Sequence, residues 1–258
     1  MNVVWLILDS LSFSATPFSD DGPMTMPKVN DLARKRGLIF KNAYAPGPSS
    51  PSSHGSFFTG ELPSKTQMHE AAPTFDSDIV TISDKLGDEF NSLLISSNPF
   101  IFNGLDRNFD MKDTLKYDPP FSTAANPAQF NYDRNKNKYM QYLKHCGDHG
   151  LLRSIINGIH FKLASNKENH MHAETITNRI EYFSSSNSED KFIVANYMDV
   201  HPPLDASDSG LERFAPNKNR KDLPIGVGGE YINKKINSTS KYDLEDMYDL
   251  YYASVFDL

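Results

Sequence analysis

Met1-Asn-Val-Val-Trp-Leu-Ile-Leu-Asp9 opens the chain, and the reading of this stretch decides the fold. Val3–Leu8 is an unbroken apolar run that includes Val3, Val4 and Ile7. Such a run, without polar alternation, reads as a buried strand, parallel and central in its sheet. Asp9 then stands at the carboxyl end of that strand, where open α/β sheets hold their ligands.

Working outward, Ser92–Ser96 and Phe192–Tyr197 are runs of the same kind, and Leu38–Tyr44 reads as a further short strand. Helical segments fall between them. Pro27–Lys35 has proline at its first position, Val29, Leu32 and Ala33 at helical spacing, and Gly37 as its stop. A second helix runs from Pro51 towards Phe58 and ends at Thr59-Gly60. Others are expected at Ile82–Phe90, Ala173–Phe183 and Asp243–Phe256, with the end of one at Tyr139–His145. Strands alternating with helices predict an α/β domain: a mostly parallel central sheet with helices on both faces. Residues 105–170, rich in Asn, Asp, Lys and aromatics, read as a helical and irregular insertion. Residues 205–241, with Pro216, Pro224 and the turn at 226–229, read as a polar surface excursion.

Composition removes several classes of function. With 258 residues, 38% hydrophobic, 17 Phe and 12 Tyr, the chain can bury a core, which excludes wholesale disorder. A net charge of −7 repels phosphate backbones and anionic headgroups, so neither a nucleic acid nor a membrane is an expected partner. The single Cys146 excludes an internal disulfide framework and a cysteine-rich zinc site. The apolar run before Asp9 is too short for a signal-peptide core or for a span of roughly 20 residues. A cytoplasmic location is therefore expected.

Three places can carry chemistry. A carboxylate placed like Asp9 can hold a hard divalent cation, although taken alone it reads more simply as a loop cap. Asp20 and Asp21, in a loop, are weaker candidates for the same role. Ser50 falls just before a helix start, after prolines at 46 and 48. There the unpaired N–H groups and the helix dipole favour an attacking anion or a bound oxyanion, and an ordinary N-cap is the plainer alternative. Ser52 and Ser53 leave open which hydroxyl attacks, and His54 lies one turn beyond Ser50. Tyr197-Met-Asp-Val-His-Pro-Pro-Leu204 leads out of the apolar strand Phe192–Tyr197; His201 there can donate a proton to a leaving group, and Asp199 either orients it or bonds the turn. Asp148-His149, followed by Gly150, reads as a helix end, and His170-Met-His172 as solvent-facing linker.

In this order the segments resemble the sulfatase family of the alkaline-phosphatase-like superfamily. The opening strand with Asp9 is similar to that family's first strand and first metal carboxylate. Met26–Tyr44 resembles the helix and strand leading to its nucleophile, and Ser50-Pro-Ser-Ser-His-Gly-Ser-Phe-Phe-Thr-Gly60 with Leu62-Pro63 resembles the nucleophile motif. Thr81-Ile-Ser-Asp-Lys-Leu-Gly87 and Met198-Asp-Val-His-Pro-Pro203 follow in the family's order.

The resemblance implies a hydrolase that cleaves a sulfate ester, with Ser50 as nucleophile and His54 and His201 as catalytic partners. Ser53 and Asp199 would bind substrate. Asp9 and Ser50 would bind a divalent metal, calcium first, with Mg2+, Mn2+ or Zn2+ as alternatives. Small-molecule and sugar sulfates are the implied substrates. A phosphodiesterase or phosphotransferase, and an inactive remnant that only binds an anion or a partner, are the rival readings. Pro51 follows Ser50 directly and His54 stands where the formylglycine motif has arginine, so Ser50 is expected to stay unmodified. Ser10 stands where many members carry a second acidic ligand. The family's later Asp-His or Asp-Asn pair would lie beyond Leu258. The chain as written is thus expected to be the amino-terminal part of a longer catalytic domain, with activity of this part alone left open for want of that pair, and with an unpaired sheet edge prone to self-association.

Overall fold

The computed structural model describes residues 1–76, 78–86, 89–115, 120–121, 123–125, 138–148, 150–165, 172–185, 189–227 and 243–258. These divide into two compact units, one formed by Met1–Thr114 with His170–Leu258, the other by Leu115–Asn169.

In the first unit the apolar runs become strands. They are β1 (Asn2–Leu8), β2 (Asn91–Ser96) and β4 (Lys191–Tyr197), joined by the short β3 (Met111–Asp113). All pair in parallel, in the order β1-β4-β2-β3 among the described residues. The fold is therefore α/β on a parallel sheet, as the alternation of runs predicts. Position within the sheet differs from expectation. β4, between β1 and β2, is buried throughout, whereas β1 lies at an edge of the described sheet, with Val4 47% and Leu6 52% exposed. Its apolar sequence records what it can bury; the neighbours present decide what it does bury.

Helix α1 spans Pro27–Arg36, α2 Ser50–Thr59, α3 Pro63–Thr66 and α4 Ile82–Leu86; α7 spans His172–Ser185, α8 Asp208–Phe214 and α9 Leu244–Phe256. Leu38–Tyr44 forms no strand: no described strand lies alongside to take its backbone bonds, and Leu38 and Tyr44 stand 85% and 86% exposed. α4 covers Ile82–Leu86 of the expected Ile82–Phe90, and residues 87 and 88 of that stretch lie outside the described residues.

Phe58 of α2 enters the main core with Ile7, Met68, Leu94, Phe109, Phe192 and Val194, and Trp5 packs 5.7 Å from its ring. Burying Phe58 contributes about 1.5–3 kcal/mol and presses α2 onto the sheet. The segment after residue 204 is more than a polar excursion. Leu204, Leu211, Ala215 and Leu223 form a second small core with Leu250 and Ala253 of α9, closed at the rim by Lys218 between Asp246 and Asp249, 2.9 Å from each. The expected turn at 226–229 lies partly outside the described residues, as do His149, His170 and Met171.

The second unit contains α5 (Lys138–Asp148) and α6 (Leu151–Ser165). Asn157, fully buried, ties α6 to residues before it, accepting from Phe121 N at 3.1 Å and donating to Phe121 O and Ala125 O. Cys146 is buried and free of any disulfide. Among the described residues no helix is long and apolar enough to cross a membrane.

Candidate active site

The register of the sheet builds the site. Leu8 pairs with Tyr197 and Ser96 with Asn196, so β1, β2 and β4 end level with one another. Asp9 continues the ladder by one bond, its N–H donating to Tyr197 O at 2.9 Å. Whatever follows these strands is therefore gathered at one edge, the carboxyl edge that α/β sheets use for ligands.

Helix α2 brings Ser50 to that edge. Its N-cap is Ser49, one residue earlier than the sequence suggests, and Ser49 N donates to Ser52 Oγ at 3.3 Å. Ser50 thus sits in the first turn with its hydroxyl spared from capping. Its Oγ donates to Asp9 Oδ2 at 3.4 Å. Ser53 Oγ donates to Gly47 O at 2.8 Å, tying the approach loop to the helix. A Cβ on Gly47 would stand 2.3 Å from Ser52 Oγ, so only glycine lets the chain pass this closely. Gly60, at φ +72°, closes the helix in the left-handed cap.

His54 is 2% exposed and faces inward. Its Nδ1 lies 2.7 Å from Ser50 O, and since a carbonyl only accepts, Nδ1 carries the proton. Nε2 then accepts from Asn196 Nδ2 at 3.4 Å and stands 4.0 Å from Asp9 Oδ2. Burial pushes the imidazole below its ordinary pKa, against the pull of the Asp9 carboxylate and the Ser50 carbonyl. The ring is therefore neutral at pH 7, and it braces the first turn of α2.

The other sequence candidates take separate places. His201 lies in the loop after β4; Nδ1 bonds Pro202 O at 2.8 Å, which leaves Nε2 as the ring nitrogen available to a ligand. Asp199 Oδ1 accepts from Ala173 N at 3.0 Å, so this carboxylate holds the start of α7. Asp20 pairs with Lys41 at the surface, at 2.6 Å.

Two residues that the sequence did not single out complete the cluster. Asn98, two residues past β2, donates from Nδ2 to Asp9 Oδ2 at 2.8 Å. Asn196, within β4, reaches the same oxygen at 3.5 Å and accepts from Ser96 Oγ at 2.8 Å. Asn98 N in turn donates to Ser96 Oγ at 2.8 Å. The chain of bonds has one direction: Asn98 N–H to Ser96, Ser96 to Asn196, Asn196 to His54, His54 to the Ser50 carbonyl. The one legible signal was polarity, a buried Asn inside or just beyond an apolar strand.

Each of these bonds to Asp9 ends on Oδ2, and Oδ1 has no hydrogen-bond partner among the described residues. Asp9 Oδ1 and Ser50 Oγ are hard oxygen donors of the type a divalent cation takes, and they fit as part of such a site. They do not fill it: calcium takes about six to eight oxygens. Among the described residues no group of three or more His, Cys, Asp or Glu side chains is placed to hold a metal.

In the comparison with protein families, the family model described as Sulfatase matches residues 1–256. No curated protein matches the chain.

Proposed function

The chain belongs to the sulfatase family, and on that premise we propose that it is a hydrolase that cleaves a sulfate ester, with Ser50 as the attacking group. The observation that carries this reading is the 3.4 Å contact between Ser50 Oγ and Asp9 Oδ2, which joins a helix N-terminus to a strand's carboxyl end. Ser50 Oγ attacks the sulfur, and the bond between sulfur and the alcohol oxygen breaks. Asp9 Oδ2 lies where the serine proton can go. His201, in its protonated form, offers Nε2–H to the leaving oxygen, its other nitrogen being fixed on Pro202 O. Water then hydrolyses the sulfoserine and returns Ser50. The first-turn N–H groups of α2 and its dipole favour the charge of the sulfuryl group.

A bound divalent cation, calcium by this reading, would be held by Asp9 and Ser50 together with further oxygen ligands and would supply Lewis acidity to the ester and to the serine. His54, neutral and engaged at both nitrogens, keeps the first turn of α2 in register with the sheet. The substrate class is a small-molecule or sugar sulfate.

The test is release of sulfate from 4-nitrophenyl sulfate by the purified protein with millimolar Ca2+, beside bis(4-nitrophenyl) phosphate as competitor chemistry. Turnover of the sulfate that disappears in Ser50→Ala, with an unchanged circular dichroism spectrum, supports the reading. Retained activity in that variant removes Ser50 from its role. Faster turnover of the phosphodiester would reassign the chain to phosphoester chemistry.

A further inference from the structure

Asn98 is 1% exposed, and its backbone N–H and both polar atoms of its side chain have defined partners. Its backbone N–H donates to Ser96 Oγ at 2.8 Å, its Oδ1 accepts from Phe100 N at 3.0 Å, and its Nδ2 donates to Asp9 Oδ2 at 2.8 Å. The amide cannot be reversed: only its oxygen can accept from Phe100 N–H, and only its nitrogen can donate to a carboxylate. A buried amide fixed at its far end by the turn that follows β2 is a rigid pointer. It points at Asp9, 89 residues away in sequence.

The contact is the shortest that the Asp9 carboxylate makes. Ser50 Oγ at 3.4 Å and Asn196 Nδ2 at 3.5 Å are looser and share the same oxygen. Asn98 therefore sets the rotation of the carboxylate: Oδ2 is held by the amide, and Oδ1 keeps its lone pairs without a partner among the described residues. An N–H bonded to one carboxylate oxygen repels a cation there and leaves the other oxygen for it.

We propose that Asn98 is a positioning residue that orients Asp9 so that Oδ1 is presented to a divalent cation. The proposal rests on the sulfatase reading above, in which Asp9 is a metal carboxylate. It assigns to this chain a second layer of the site, formed by a strand other than those that carry Asp9 and His201. Partners of this kind, which orient a ligating side chain without touching the ion, typically change metal affinity by about 10–100-fold when removed.

The experiment is calorimetric titration of the chelator-treated protein with CaCl2, for wild type, Asn98→Ser, Asn98→Leu and Asp9→Asn. Serine keeps an acceptor for Phe100 N–H and is too short to reach Asp9; leucine fills the volume without an amide. The expected result is a dissociation constant raised about tenfold or more in both Asn98 variants, and binding abolished in Asp9→Asn. Unfolding midpoints in the presence of chelator separate this from a structural role. A residue that only stabilised the turn would lower the midpoint and leave the dissociation constant of the folded variant unchanged. Binding within about twofold of wild type, in whichever Asn98 variant folds, overturns the proposal and leaves the sulfatase reading standing. If wild type itself binds no Ca2+, the metal part of that reading fails and this proposal fails with it.

Discussion

The Nδ1–H of His54 donates to the carbonyl oxygen of Ser50 at 2.7 Å, so the ring and the first turn of α2 are locked together while Nε2 faces Asn196. The bond from Asn196 requires a neutral imidazole: Nε2 can accept it only while that nitrogen carries no proton. Burial lowers the pKa of His54 below its ordinary 6.5. The unfolded chain therefore binds a proton at mildly acid pH that the folded chain refuses, and stability rises with pH in that window. The contribution is complete above about pH 6.5 and is lost as pH falls through the folded-state value. Urea unfolding at intervals from pH 8 to pH 5 should show the midpoint falling below pH 6.5. His54→Leu should flatten that limb; a limb unchanged in His54→Leu would assign it to another group.

Asn196 is the most heavily shared side chain of the cluster. It is fully buried, accepts from Ser96 Oγ and supplies N–H groups to both His54 Nε2 and Asp9 Oδ2. Asn196→Ala leaves two buried partners unsatisfied beside a small cavity, and a loss of about 2–4 kcal/mol is expected. Equilibrium urea unfolding measures it. A loss below about 1 kcal/mol would mean that water or a rearranged Ser96 satisfies the partners, and that the directed chain of bonds is not a structural unit.

Which parts of this were legible beforehand follows from the reach of each signal. β2 and β4 announce themselves through the apolar runs Leu93–Ile95 and Phe192–Ala195, which a buried parallel strand needs, and α2 because proline and glycine mark its ends. Leu38–Tyr44 has the same local pattern and forms no strand, since pairing depends on a neighbour that no local pattern contains. Asp199 illustrates the same limit at one residue. Its place after β4 is readable, but its direction is set by Ala173 N on a helix 26 residues away. Asn98 and Asn196 carried almost no signal, because an asparagine after or within a strand acquires meaning only through Asp9, far off in the chain. Asp9, Ser50 and His201 stood out because strand ends and a helix start are local features with known chemical uses.

Asp84 is the hub of a partly buried ion pair at the entrance to α4. Its carboxylate accepts from Thr81 N at 2.6 Å, from Arg107 Nη2 at 2.6 Å and from Asn108 Nδ2 at 2.7 Å. Burial by itself would raise its pKa; the bonds from Thr81, Arg107 and Asn108 prevail and hold it below the ordinary 3.8. The stabilisation is therefore present above about pH 4 and disappears as pH falls further, a window separate from that of His54. Asp84→Ala should lower stability at pH 7 by about 1–3 kcal/mol, as a charge-bonded partner of a half-buried arginine is removed. The same substitution should cost much less at pH 2.5. An equal loss at both pH values would trace the effect to packing.

Tyr251 of α9 clamps the turn that follows Asp9. Its hydroxyl donates to Ser10 O at 2.8 Å and accepts from Ser12 N at 2.7 Å. Ser10, between the two bonds and Asp9, has φ +66°, a left-handed conformation that a serine adopts only with support. Burial raises the Tyr251 pKa, opposed by the Ser12 bond, so the hydroxyl stays protonated and able to donate throughout the neutral range. Tyr251→Phe removes both bonds and keeps the ring, and a loss of about 1–2 kcal/mol is expected. Glycine reaches positive φ without strain, so Ser10→Gly should recover part of that loss, about 0.5–1 kcal/mol, in the double variant. Thermal unfolding of the four proteins in a double-mutant cycle decides the matter. If the two substitutions add without coupling, the hydroxyl is a surface bond of α9; if they couple, the end of the chain holds the turn that carries Asp9 into the site.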